Sequence, residues 1–269
     1  MTPAVIHTER MRAAELAEIL RFFPPPPQRV LEIGAGSGWQ AALLARAGYT
    51  VTAVDLQAWP DKPQYPVVRY DGRRLPFQDA AFDVVFSSNV LEHVHDLNQL
   101  GSEVRRVLAP AGIAVHVLPS PWWRLWTTLT YYLVIVRLVR DALKHLAKEG
   151  RKGTPAAAAM PAALPTGQTT IGVRRVARWM RTLLLSPRHG ERGTALTEAW
   201  YFRPLWWRRH FSAIGFEIVS ERPLGIAYTG NIVLGLRLSL AVRRRLAAVL
   251  GSATHLFVLR PRHRDERDR

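Results

Sequence analysis

Val30-Leu31-Glu32-Ile33-Gly34-Ala35-Gly36-Ser37-Gly38 is the stretch on which the fold turns. Arg29–Ile33 is apolar enough for a strand buried on both faces, and three glycines at alternate positions then force a tight turn. Trp39–Ala47 follows with helical spacing and stops at Gly48. Outward from this unit the pattern repeats. Thr50–Val54 reads as a second strand ending at Asp55, Val67–Tyr70 as a third ending at Asp71, Phe82–Ser87 as a fourth and Gly112–Leu118 as a fifth. Leu97–Leu108 is a helix between the last two. Upstream, Thr8–Phe23 places Leu16, Ile19, Leu20 and Phe23 on one helical face and ends at Pro24–Pro27. Apolar strands alternating with helices predict an α/β fold: a Rossmann-like, parallel sheet covered on both faces.

The glycine spacing narrows the ligand. A dinucleotide fingerprint sets its third glycine three residues after the second; here Gly36 and Gly38 are two apart. That turn suits a nucleoside ligand without a pyrophosphate. Asp55 stands where a carboxylate accepts from both ribose hydroxyls, and Asp71 where one accepts from an adenine amino group.

With Val54-Asp55-Leu56, Asp71-Gly72-Arg73-Arg74-Leu75-Pro76-Phe77 and Phe82 through Val94 added to the first stretch, the sequence resembles the class I S-adenosylmethionine-dependent methyltransferases. More narrowly, it is similar to the broad type 11-like family that includes quinone-biosynthesis methyltransferases. The resemblance covers about residues 29–120 and, more loosely, the last two strands. It implies a seven-stranded sheet whose last strand runs antiparallel, and S-adenosyl-L-methionine as cofactor. Gly34, Ala35, Gly36 and Gly38 would approach its methionine part, Asp55 its ribose and Asp71 its adenine. Glu32, Leu56, Gly72 and Asn89 would complete the cofactor site.

Methyl transfer from a sulfonium needs alignment first. A base is required only if the acceptor must lose a proton. His93, after the fourth strand, and His189, in a loop of the following segment, are the catalytic candidates; His116 alternates within the fifth strand and suits a packed core. His93 and His95 do not make a metal site, because no further ligand cluster is visible.

The remaining chain differs in character. Of 269 residues 48% are apolar, enough for a packed core, and cysteine is absent, which excludes disulfides, Cys-ligated metals and thiolate catalysis. The net charge of +16 is unevenly distributed: 1–120 is −1, 121–215 is +12 and 216–269 is +5. Seven of the nine Trp fall in 121–215, so uniform compositional bias does not explain the charge. The chain therefore divides into a cofactor-binding core (1–120), a basic Trp-rich helical insertion (121–214), two core strands with an apolar insertion (215–260) and a charged tail (261–269). In the insertion, Pro121–Glu149 is a long helix with Leu129, Tyr132, Leu133 and Val136 on one side and Arg137, Arg140 and Lys144 on another. A Pro/Ala-rich linker (Gly153–Gly167), a helix over Thr170–Leu185 and a further helix over Leu196–Ala213 follow. The 12 uncharged residues Leu125–Val136 fall short of the roughly 20 that span a bilayer. Trp on one face and Arg on the other suit a membrane interface. Gly225–Leu240 is expected to extend the same apolar surface.

These features predict a methyltransferase acting on a small-molecule or lipid-linked acceptor, glycan- or quinone-like. It would be cytoplasmic and peripheral on the inner face of the cytoplasmic membrane, as no signal peptide is visible. Two alternatives stand beside it. One is an RNA methyltransferase stacking bases on the aromatics, against which no RNA-binding module is visible. The other is a non-catalytic protein that kept the fold to bind a partner.

Overall fold

The computed structural model describes residues 3–56, 63–150, 187–194, 197–228, 234 and 237–262, with backbone alone at 3–7, 138–139, 142–143 and 145–150. The linker 153–167 and the helix expected over 170–185 lie outside the described residues.

Helix α1 (Pro3–Ile19) leads through a 3-10 turn (Leu20–Phe22) to β1 (Arg29–Ile33), α2 (Trp39–Arg46), β2 (Thr50–Asp55) and β3 (Val67–Arg69). Then come β4 (Phe82–Ser88), a second 3-10 turn (Leu91–His93), α3 (Leu97–Val107) and β5 (Leu108–Pro119). Beyond them lie α4 (Pro121–Gly150), α5 (Glu198–Tyr201), α6 (Pro204–Ala213), β6 (Phe216–Pro223), α7 (Leu240–Leu250) and β7 (Thr254–Pro261). The seven strands form one sheet in the order β3-β2-β1-β4-β5-β7-β6. β3, β2, β1, β4 and β5 are mutually parallel, and β7 runs antiparallel to both neighbours, as the resemblance implies.

The period of two along each strand divides the core between two faces. Leu31, Val85, Ala114, Phe257 and Leu259 meet Leu97, Leu100 and Val104 of α3 with Trp207 and Phe211 of α6. Val30, Val84, Val115, Leu256 and Val258 meet Leu16 and Ile19 of α1 with Ala41 and Leu44 of α2. This two-sided burial is why the strands read as continuous apolar runs.

Two elements differ from the sequence reading. The helix expected over 196–213 is two pieces, because Pro204 holds Arg203 in an extended conformation (φ −68°, ψ 137°) and starts α6 afresh. α7 was not anticipated; Ser239 caps it by accepting from the Val242 N–H (3.4 Å). In the described part of the segment after β6, Leu224, Ile226 and Ala227 are buried and Leu234 is exposed.

α4 leaves the sheet at Ser120, whose hydroxyl donates to the Ser252 carbonyl, while the Trp126 indole N–H donates to the Leu250 carbonyl (2.7 Å). Its first turns are thus fixed to the turn between α7 and β7. Farther along, Leu125, Leu129, Tyr132, Leu133 and Val136 are all exposed, at 38–65%. No helix among the described residues is long and apolar enough to cross a membrane.

Candidate active site

The carboxyl ends of β1, β2 and β4 converge where the order of strands reverses, between β1 and β4. The Gly34 and Ala35 N–H groups both donate to the Val54 carbonyl (2.8 and 3.1 Å), folding the turn over β2. Gly34 and Gly38 are both left-handed (φ 72° and 75°). A Cβ at Gly34 would lie 2.4 Å from Val90, and one at Gly38 would lie 2.7 Å from the Tyr65 carbonyl oxygen. Conformation and space therefore both demand glycine there. Asp55 accepts from the Gly36 N–H (2.8 Å), which ties the strand-end carboxylate to the loop. Leu56, next along, is 53% exposed.

Asp71 spends Oδ1 locally: the Arg73 and Arg74 N–H groups donate to it (2.8 and 3.0 Å) and hold its carboxyl below the usual range. Gly72, also left-handed, turns the chain beside Leu56. Glu32 is buried under the loop; burial pushes its carboxyl up to about 8, against the pull of Arg12 and the Ala41 N–H at the start of α2. Asn89 is left-handed (φ 55°), and its N–H donates to the Val117 carbonyl (2.8 Å).

His93 and His189, 96 residues apart in sequence, meet edge-to-face with ring centroids 4.7 Å apart. Trp123 of α4 flanks His189 at 4.5 Å. The loop carrying His189 is clasped from three sides. Buried Glu198 accepts from the His189 N–H (2.7 Å) and the Gly190 N–H, and pairs with Arg124 Nε at 3.0 Å. The Glu191 N–H donates to the Glu92 carbonyl (2.8 Å), and Arg192 donates to the Val94 and His95 carbonyls (2.7 and 3.1 Å). Burial, the adjacent His93 and the Arg124 and Arg12 charges push His189 down to about 4; burial also lowers His93. His189 is therefore neutral at pH 7, and burial favours the neutral form of His93, so each ring has a lone pair to offer.

His116 is instead a core histidine. It is buried, its Nδ1 lies 2.8 Å from the Ser87 hydroxyl and its ring stacks on Phe211. His95 is exposed and points to Glu191 (3.5 Å), away from His93.

Sequence reasoning missed Arg12, Glu92, Arg124 and Glu198. Arg12 projects from α1 with a field felt by Glu32, Glu92 and His189. A charge on α1, far in sequence from Glu92 and His189, leaves no local signal. A cleft of about 460 Å³ opens elsewhere, beside Gln28, Asp83 and Gly112 at the amino ends of the strands, and touches no loop glycine.

Residues 31–116 match the model of a methyltransferase domain. Within those bounds the chain carries a methyltransferase domain. An uncharacterized methyltransferase of Mycobacterium sp. strain KMS is 40% identical over 118 residues, 40% of this chain and 47% of that protein. One from Mycobacterium leprae strain TN is 34% identical over 140 residues, 48% of this chain and 51% of that protein. The chain thus spans about half the length of the curated relatives it matches. Two solved structures share the methyltransferase fold. An S-adenosylmethionine-dependent methyltransferase of Mesorhizobium loti has a TM-score of 0.50 at 16% identity, covering 92% of this chain and 97% of that one. A chain of the complex between the Haloferax volcanii Trm112 methyltransferase activator and a methyltransferase gives 0.53 at 14%, covering 94% of this chain and 90% of that one.

The cofactor of this domain is S-adenosyl-L-methionine, and the residues present fit it. Gly34, Gly36 and Gly38 put three left-handed glycines in the turn, and carboxylates stand at the end of β2 and two residues past β3.

Proposed function

We propose that the chain transfers a methyl group from S-adenosyl-L-methionine to a small-molecule or lipid-linked acceptor, glycan- or quinone-like, at the cytoplasmic surface of a membrane. The cofactor supplies a methyl on a sulfonium, open to in-line displacement. The protein's part is placement: the Gly34–Gly38 turn and Asp55 hold the cofactor end, and the insertion supplies the acceptor end.

The observation that carries this reading is the docking of the 187–194 loop onto the 3-10 turn after β4. It brings His189, Trp123 and His93 together beside the carboxyl ends of the strands. An aromatic wall suits a flat or lipid-linked acceptor. A histidine neutral at pH 7 can take a proton from an acceptor hydroxyl. The membrane side of the proposal rests on the exposed apolar stripe of α4 and the basic residues that follow it.

Two measurements test it. Calorimetric titration with S-adenosyl-L-methionine should give stoichiometric binding that Asp55→Ala weakens at least tenfold; equal affinity of the variant would overturn the cofactor site. Incubating methyl-deuterated cofactor with membrane and soluble extracts should place a mass increment of one trideuterated methyl on an amphiphilic acceptor. Label found only in RNA would overturn the acceptor assignment.

A further inference from the structure

Glu92 has no role in the fold or in cofactor binding that its contacts explain. Its side chain is 1% exposed, yet neither carboxylate oxygen accepts a hydrogen bond from another of the described residues. Burial pushes this carboxyl up to about 8; a carboxylate left this way either keeps its proton or pairs with a cation. Arg12 acts on it only through space, while Glu198 adds a second nearby negative charge. The groups that face Glu92 directly are two imidazoles. His93 Nε2 and His189 Nε2 each lie 3.8 Å from Glu92 Oε1, and the three donor atoms all fall within 4.8 Å of one another.

We infer that Glu92, His93 and His189 form a binding site for a divalent transition-metal cation of the zinc type. The donor set is two neutral nitrogens and one carboxylate, which suits borderline cations such as Zn²⁺ or Co²⁺ and not Ca²⁺ or Mg²⁺. The spacing agrees. Donors at about 2.1 Å around a tetrahedral cation stand roughly 3.4 Å apart. Each 3.8 Å pair must therefore close by less than half an ångström, and the His93–His189 pair, within 4.8 Å, by at most about 1.4 Å, movements within reach of side-chain torsions. At 3.8 Å the pairs are too long to be hydrogen bonds, so a shared proton does not account for them.

The fold also holds the donors in place. Glu92 and His93 sit on one 3-10 turn, and the His189 loop is fixed to that turn by backbone contacts: the Glu191 N–H on the Glu92 carbonyl, and the His189 and Gly190 N–H groups on Glu198. The site is sealed on the Glu92 side and open on the other, where the His93 and His189 side chains are 43% and 36% exposed. The remaining coordination positions face outward, towards an acceptor oxygen: a hydroxyl, carbonyl or carboxylate. This deepens the function proposed above by naming oxygen donors as the acceptor's anchoring chemistry. Metal binding itself does not depend on that function.

The test uses the full-length chain, freed of any polyhistidine tag and of metal by chelation. Titration with Zn²⁺ should give one equivalent bound, and Co²⁺ should give visible absorption bands of a low-symmetry His/carboxylate site. His189→Ala and His93→Ala should each lower Zn²⁺ affinity at least tenfold. His189→Ala keeps the backbone bonds that hold its loop, and Glu92→Gln, which keeps the side-chain volume, supplies an independent variant. Less than half an equivalent of Zn²⁺ bound, or wild-type affinity in any of the three variants, would overturn the site. S-adenosyl-L-methionine binding is measured on the same samples. Its loss in the wild-type chain strikes the methyltransferase reading, and absence of metal binding strikes only this one.

Discussion

Between the Ser87 hydroxyl and the Phe211 ring, the His116 imidazole has no water to solvate a charge, and burial pushes it down to about 3. An unfolded histidine titrates near 6.5. Between those values the unfolded chain binds a proton that the folded chain refuses, so this residue's contribution to stability is lost as pH falls below about 6.5. At pH 4.5 the loss is about 2–3 kcal/mol. His116→Gln keeps a polar partner for Ser87 but cannot titrate. Its urea-unfolding free energy should therefore fall by about 2–3 kcal/mol less than the wild type's between pH 7 and pH 4.5; equal falls would refute the assignment. Glu32 works in the opposite direction. Held up to about 8 by burial, its carboxyl favours the fold at low pH, and that contribution disappears as pH rises from about 4.5 through 8. Single residues near the Gly34–Gly38 turn were legible in the sequence because their reasons are local: a left-handed φ, a strand end, a neighbouring N–H. Glu92 and Arg12 were not, since their significance comes from what the fold sets against them.

At the scale of elements, the same division holds between near and far. The first five strands and α3 were readable from period and punctuation within a few residues, and Asp96 caps α3 by accepting from the Gln99 N–H (2.9 Å). The break at Pro204 was equally local but was overridden by the density of Trp and Arg around it. What no spacing disclosed is the clasp that joins α4, α5 and the 187–194 loop. At its centre the Arg124–Glu198 pair is buried on both sides (3% and 0% side-chain exposure). Removing one partner leaves the other charge uncompensated, at a cost of about 3–5 kcal/mol. Glu198→Ala should therefore lower stability by that order in urea unfolding, and should speed amide exchange at His189 and Gly190, whose N–H groups lose their acceptor. Replacing the pair together, as Arg124→Met with Glu198→Leu, should recover most of the stability and leave the exchange fast, because the apolar pair accepts no hydrogen bond. Protected amides in the double variant would show that the loop is held by something other than Glu198.

For the whole molecule, the +16 net charge is informative only through its position. The core that carries the methyltransferase motifs, residues 1–120, is −1, and the excess lies beyond it. On α4 the exposed apolar residues Trp122, Leu125, Leu129, Tyr132, Leu133 and Val136 recur at three- and four-residue steps, so they share one face. They do not pack on the sheet; the helix is attached through Ser120, Arg124 and Trp126 at its start. Completing the burial of five or six half-exposed side chains would contribute roughly 5 kcal/mol. The described cations that follow, Arg137, Arg140 and Lys144, would each add about 1 kcal/mol at an anionic surface. Neither contribution dominates, and this sets the expected pattern. The chain should co-sediment with vesicles rich in phosphatidylglycerol more strongly than with phosphatidylcholine vesicles. Raising the salt to 0.5 M should weaken the anionic binding without abolishing it, because screening leaves the apolar part intact. Leu133→Asp with Val136→Asp should remove binding to both vesicle types while S-adenosyl-L-methionine affinity stays unchanged, since both residues lie on a stripe remote from the glycine turn. Binding that survives the double substitution, or that disappears entirely with salt, would mean that charge alone draws the chain to the surface and that the α4 stripe meets something other than lipid.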